Sequence, residues 1–188
     1  GVAARIFPAA LGSQTAGSVL RPAAYNGVIG LKPTFGLISR HGVFPVAASL
    51  DTMGFFTRTV EDAALMLNVL AGHDPSDDSS SSRETHDYEA MLAEDVRPPR
   101  IGVVGQLFHN GASDEIRLHT EQMVTRLAER GASVDNVTLD TDFDALLSAH
   151  RTVMNVELAD VREADFGARP DAFAPKVRGL IEAGMAAS

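Results

Sequence analysis

In Gly12-Ser13-Gln14-Thr15-Ala16-Gly17-Ser18-Val19-Leu20-Arg21-Pro22, small residues flank Ser18 on both sides. They let the backbone turn sharply and can leave several N–H groups pointing at one spot. A hydroxyl held there would be a nucleophile beside a ready oxyanion hole. The same spacing also reads as a tight turn whose small side chains only permit close packing, because the loop contains no partner base. On these residues alone both readings stand.

Composition narrows the classes of function. A chain of 188 residues can bury a core and form one domain, or one and a half, and its apolar and charged fractions are those of a globular protein. With 25 acidic against 16 basic side chains, the net charge of −9 argues against a general nucleic-acid or anionic-membrane surface. No apolar run approaches the roughly 20 residues needed to cross a bilayer, and the first residues lack the pattern of a secretion signal. The cytoplasm is therefore the expected location. The absence of Cys removes disulfides, thiolate catalysis and cysteine-ligated zinc. The opening Gly1-Val2-Ala3-Ala4-Arg5-Ile6-Phe7-Pro8 is apolar and reads as the middle of a core element, the expectation for a piece of a larger or cleaved protein.

Working outward from the glycine-rich loop, residues 1 to 11 are expected to be the tail of a helix and a short buried strand. Residues 22 to 27 read as a short helical or irregular link, and Val28 to Thr34 as a strand stopped by Pro33. From Phe35 to Pro45, glycine and proline recur too often for a long element, so turns and short strands are expected. Thr59-Val60-Glu61-Asp62 starts a helix: Thr59 caps it, the acidic pair suits the positive end of the dipole, and Ala63, Met66, Leu67 and Leu70 form its apolar stripe. Residues 73–85, rich in Asp and Ser, read as an exposed polar loop with a solvated charged face; regular calcium-ligand spacing is absent. Tyr88 to Leu92 adds a turn of helix.

Residues 100–139 read as a β–α–β unit: a strand at Ile101 to Val104, a helix capped by Ser113 and ended by Gly131, and a strand from Val134 to Leu139. Gly102 and Gly105 make neither a dinucleotide fingerprint nor a P-loop. Thr141 and Asp144 suggest the cap of a long amphipathic helix through Val161, and Asp171 to Glu182 a final one. The alternation of strands and helices argues for an α/β sheet.

For the chemistry, serine hydrolysis needs a base. The six histidines, at 41, 73, 86, 109, 119 and 150, have no context that singles one out, and they lack metal-binding spacing. Neither a metal nor a cofactor is expected. Lys32 is the lysine nearest Ser18 in sequence and reads as either a catalytic base or a structural contact.

Gly12 through Pro22, followed by Ala23, Gly27-Val28-Ile29-Gly30-Leu31-Lys32-Pro33-Thr34-Phe35-Gly36, closely resembles the core of the amidase signature family. The similarity continues through Ser39-Arg40-His41-Gly42-Val43, Leu50-Asp51 and Gly54 to Arg58-Thr59-Val60-Glu61-Asp62-Ala63-Ala64. It is looser from Asp74-Pro75 through Ala149-His150-Arg151-Thr152 to Ile181-Glu182-Ala183-Gly184. The resemblance implies a three-layer α/β/α sandwich with a mixed sheet, of which residues 1–188 form an incomplete catalytic domain. It implies a Ser–cis-Ser–Lys hydrolase of carboxylic amides in which Ser18 is the nucleophile and the N–H groups around Thr15, Ala16, Gly17 and Ser18 form the oxyanion hole. The family's neutral lysine and cis-serine precede this motif and are not within these residues, so Lys32 takes the structural role, and residues 1–188 alone are expected to be inactive.

Three departures are informative. Gln14 replaces a usual acidic residue, Ala16 a glycine, and Leu20 stands where many members carry arginine. Gln14 and Arg21 point toward generic bacterial amidases more than toward tRNA amidotransferase subunits. Phe44 and Phe143 are candidates for the substrate pocket or for the core. The expected substrate is a small-molecule amide; an allophanate or urea-derivative hydrolase and a non-catalytic fragment are the alternatives. The expected partner is a complementary amino-terminal segment or a second copy of the chain.

Overall fold

The computed structural model describes residues 1–94, 97–106 and 111–187. Two compact units divide them: Gly1–Glu94 with His150–Ser188, and Asp95–Ala149. In the first unit, β1 (Ala10–Gln14), β2 (Ile29–Leu31) and β3 (Thr52–Thr57) form an antiparallel sheet in the order β1-β3-β2. The register sets Gly12 opposite Gly54, Gln14 opposite Thr52, and Gly30 opposite Phe56.

The central strand, β3, is the one that sequence reading left unassigned. Its residues are Thr52-Met53-Gly54-Phe55-Phe56-Thr57, with Phe55 and Thr57 fully buried. The β-branched and aromatic residues fit a strand covered on both faces, while Gly54 interrupts the apolar run. Ile38, Phe55, Ala63 and Leu67 make the core between this sheet and the helix that follows it.

Residues 1 to 9 are turns and not a helix tail: Arg5 N–H donates to Val2 O and Ile6 N–H to Gly1 O, both at 3.0 Å. Arg5, with φ 58°, leaves the right-handed helical region within this stretch, and Pro8 keeps Phe7 out of it. Helix α1 (Leu20–Asn26) carries Pro22 in its first turn, where a missing N–H costs nothing. Helix α2 (Val60–Leu70) starts as expected, with Thr59 Oγ1 accepting the Asp62 N–H at 3.0 Å. Helix α3 (Tyr88–Leu92) is capped by Asp87.

The segment 73–85 differs from a solvated loop in its first half. Ser39 Oγ donates to Asp74 at 2.6 Å, the Arg40 N–H donates to Asp77 at 2.7 Å, and Arg40 Nη2 donates to Ser79 Oγ at 2.7 Å. The hydroxyl of Ser39 and the N–H of Ser76 hold the Asp74 carboxyl below its ordinary range against burial. Burial alone would raise the Asp77 carboxyl, but bonds from Ser79 and Arg40 together with the Arg40 charge outweigh it and leave that group lowered. Both groups therefore favour folding fully above the unfolded carboxyl value of about 3.9, and this contribution is lost as pH falls through the lower folded values. The stability deficit of Asp77→Asn, measured by urea unfolding, should be present at pH 7 and shrink toward pH 3; a constant deficit would contradict the assignment.

In the second unit, β4 (Arg100–Val104) and β5 (Ser133–Val137) pair in parallel, and helix α4 (Asp114–Glu129) lies between them in sequence with Ser113 as its cap. Helix α5 (Phe143–Ala168) begins in this unit and continues into the first. Asp142, not Thr141, caps it, accepting the Ala145 N–H at 3.0 Å.

After α5, Pro170–Ala172 make a 3-10 turn, and helix α6 runs from Pro175 to Ala187, starting later than Asp171. Pro175 suits a first helical position, which accounts for the shift. Leu158, Ala159 and Ile181 pack α5 against α6. Contact is closest at Gly184, where a Cβ would stand 2.0 Å from Asn155 O, so only glycine fits. Among the described residues no helix is long and apolar enough to cross a membrane.

Candidate active site

The loop from Thr15 to Val19 joins the end of β1 to the start of α1. Gln14, 6% exposed, spans it from inside: its Oε1 accepts the N–H groups of Val19 at 2.9 Å and Leu20 at 3.0 Å. One side-chain oxygen thus satisfies donors that a helix start leaves open and ties the strand to the helix. A neutral amide oxygen performs this bridge. Val19 is fully buried behind the loop, and Ser18 is exposed in front of it. The Arg21 N–H donates to Gly17 O at 2.9 Å. Among the described residues, no acceptor takes the N–H of Ala16, Gly17 or Ser18.

Thr15 is held on two sides. Its hydroxyl donates to Asp51 Oδ1 at 2.5 Å, and its carbonyl oxygen lies 3.3 Å from His150 Nε2. Asp51 is buried at the foot of β3, and its other oxygen accepts the N–H groups of Val46 and Ala47 at 2.8 and 3.0 Å. The loop containing these residues is braced by α5. Glu157 accepts the Ser49 hydroxyl at 2.5 Å and the Ser49 N–H at 2.9 Å, while Arg162 donates to Pro45 O. Arg40 Nη1 adds bonds to the carbonyl oxygens of Ala48 at 2.6 Å and Asp51 at 3.2 Å. An open cleft of about 670 Å³ lies against Ser13, Arg40, Ser49, Asp51, Met53 and Glu157, and neither Ser18 nor its neighbours Thr15 to Gly17 line it.

The other candidates fall elsewhere. Lys32 Nζ donates to Pro33 O at 2.6 Å and is not bonded to Ser18. His41 Nδ1 lies 3.0 Å from Ser76 O, and His86 stands edge-on to Tyr88. No described histidine is bonded to Ser18, and His109 lies outside the described residues. Phe44 is 72% exposed under the Arg162 guanidinium, while its neighbours Val43 and Pro45 line the cleft. Phe143 belongs to the second unit. Sequence reading missed Asp51 and His150 as supports of the loop, since neither adjoins it in the chain.

Comparisons with known proteins place this loop in context. A glutamyl-tRNA(Gln) amidotransferase subunit from Persephonella marina is 43% identical over 140 residues, covering 74% of this chain and 29% of that protein. Its counterpart from Pelobacter propionicus is 37% identical over 181 residues, covering 96% of this chain and 37% of the relative. The chain therefore spans well under half the length of these curated relatives. These relatives carry the amidotransferase name, whereas Gln14 and Arg21 had pointed toward generic amidases.

Among solved structures, native peptide amidase from Stenotrophomonas maltophilia has a TM-score of 0.76 at 32% identity, covering 99% of this chain and 44% of its own. A vestigial protein complex bearing on the evolutionary origins of an s-triazine catabolic enzyme has a TM-score of 0.88 at 32% identity, covering 98% and 39%. These neighbours share the expected α/β amidase-signature fold. The Amidase family model matches residues 1–184, and with the glycine-rich loop and its flanking elements in place the chain belongs to that family of amidase-signature enzymes.

Proposed function

We propose that Ser18 is the nucleophile of an amide hydrolase. Its hydroxyl oxygen attacks the carbonyl carbon of a small carboxylic amide, and the N–H groups of Thr15, Ala16, Gly17 and Ser18 receive the developing oxyanion. Ammonia or an amine leaves with the proton taken from the serine, and water then releases the carboxylate from the acyl-enzyme. The lysine and cis-serine that move these protons in the family come, in this reading, from chain outside residues 1–188. The reaction is cytoplasmic and needs neither metal nor cofactor.

One observation carries the reading: Ser18 is exposed on a loop whose neighbouring N–H groups are unbonded among the described residues, while Gln14 and Asp51 fasten its two ends. The edge strand β1, with Leu11 56% exposed, supports docking of a complementary amino-terminal segment or of a second copy.

Treatment of the full-length protein with a fluorophosphonate, followed by peptide mass analysis, tests the proposal. One adduct on Ser18 is expected, with none on residues 1–188 prepared alone. A labelled site elsewhere, or none, would overturn it. Comparing ammonia release from glutamine with that from simple amides then separates the two substrate classes suggested by the relatives' names and by Gln14.

A further inference from the structure

We infer that Asp51 is a positioning residue for the oxyanion side of the loop, acting through Thr15; this rests on the Ser18 reading above. The two ends of the loop are fastened by different groups. Gln14 Oε1 binds Val19 and Leu20, which fixes the helix end. At the strand end, where the first oxyanion donors lie, the Thr15 side chain is fastened through its hydroxyl to Asp51, while His150 meets the Thr15 carbonyl oxygen.

The register explains why that residue is in reach. Gln14 pairs with Thr52, so the next residue out along β1 and the residue before β3 emerge side by side at the same end of the sheet. Asp51 is 6% exposed and its acceptors are divided without overlap, Oδ1 to Thr15 and Oδ2 to Val46 and Ala47. The carboxylate cannot turn toward the loop or away from it without breaking one of these bonds. Glu157 and Arg162 brace the 45–49 segment, so the anchor is joined to α5 and not to a free loop. The His150 contact on Thr15 O ends on the same helix.

A hydroxyl donating to a carboxylate oxygen that is buried and whose partner oxygen is already engaged is held to one orientation. A misplacement of about an ångström at such a site can cost roughly a hundredfold in rate. In Asp51→Asn the side-chain oxygen must serve Val46 and Ala47, which leaves an NH2 group facing Thr15 and forces the hydroxyl to accept where it had donated.

The test uses the full-length protein, with kcat and KM for an amide, fluorophosphonate labelling at Ser18 and melting temperature measured together. Thr15→Val should lower kcat about tenfold or more with KM within threefold, at temperatures where the melting curve shows the variant fully folded, and Thr15→Ser should recover most of that loss. Asp51→Asn should lower kcat similarly, and the double variant Asp51→Asn with Thr15→Val should be no slower than the worse single one. If Asp51→Asn fails to fold, the Val and Ser variants at Thr15 decide. Labelled Ser18 with Thr15→Val within twofold of wild type, or a double variant slowed by the product of the singles, would overturn the inference while leaving the Ser18 reading intact. An unlabelled wild-type Ser18 would overturn both.

Discussion

Replacing Ser18 with alanine should lower amide turnover by the full-length protein by roughly 10⁴-fold or more, the scale seen when a serine hydrolase loses a nucleophile that acts as a unit with its base. The fold should be unaffected. Ser18 is exposed, its side chain makes no hydrogen bond among the described residues, and loop closure rests on Gln14 Oε1 and on Thr15 with Asp51. An exposed position of this sort normally changes stability by less than about 0.5 kcal/mol. Turnover and urea unfolding on the same preparation check the two halves. Residual turnover within tenfold of wild type, in a protein free of wild-type contamination, would remove Ser18 from the chemistry and favour a non-catalytic role for this fold.

The parts of this molecule that could be read from sequence are those where one residue acts on its near neighbours. Thr59 caps α2 and Ser113 caps α4 because these are interactions over three or four residues. The glycine-rich turn around Ser18 was legible for the same reason, as small residues around one hydroxyl. What was not legible lies across the sheet. β3 is buried on both faces and lacks the alternation of a half-buried strand, so its residues carry little periodic signal.

Asp51 is an ordinary carboxylate until β3 pairs with β1 and sets it against Thr15, and His150 is an ordinary helical histidine until α5 brings it to the same residue. The polar segment after Gly72 misled in a similar way. Its aspartates look solvated in sequence and become acceptors only because Ser39 and Arg40 come to meet them.

Gly30→Val should produce the second large effect, on stability and on turnover together. By local preference the change is favourable, because valine suits a strand and glycine does not. Tertiary packing reverses the sign. A Cβ at Gly30 would lie 2.6 Å from the Ala23 Cβ and 3.0 Å from Val19 O, so any side chain drives the first turns of α1 away from β2. Val19 is fully buried, so its displacement disturbs packed neighbours. Overpacking of this kind costs about 1–3 kcal/mol, to be read as a lower urea midpoint at unchanged slope.

The displacement does not stop at the core. Val19 and Leu20 are both bonded to Gln14 Oε1, and Ser18 precedes them directly, so a shift of Val19 moves Ser18 relative to the fixed end at Thr15. Turnover measured well below the unfolding midpoint should therefore fall by about tenfold or more, beyond any loss of folded protein. A variant with a lowered midpoint but full turnover would show that α1 can yield without carrying Ser18 with it.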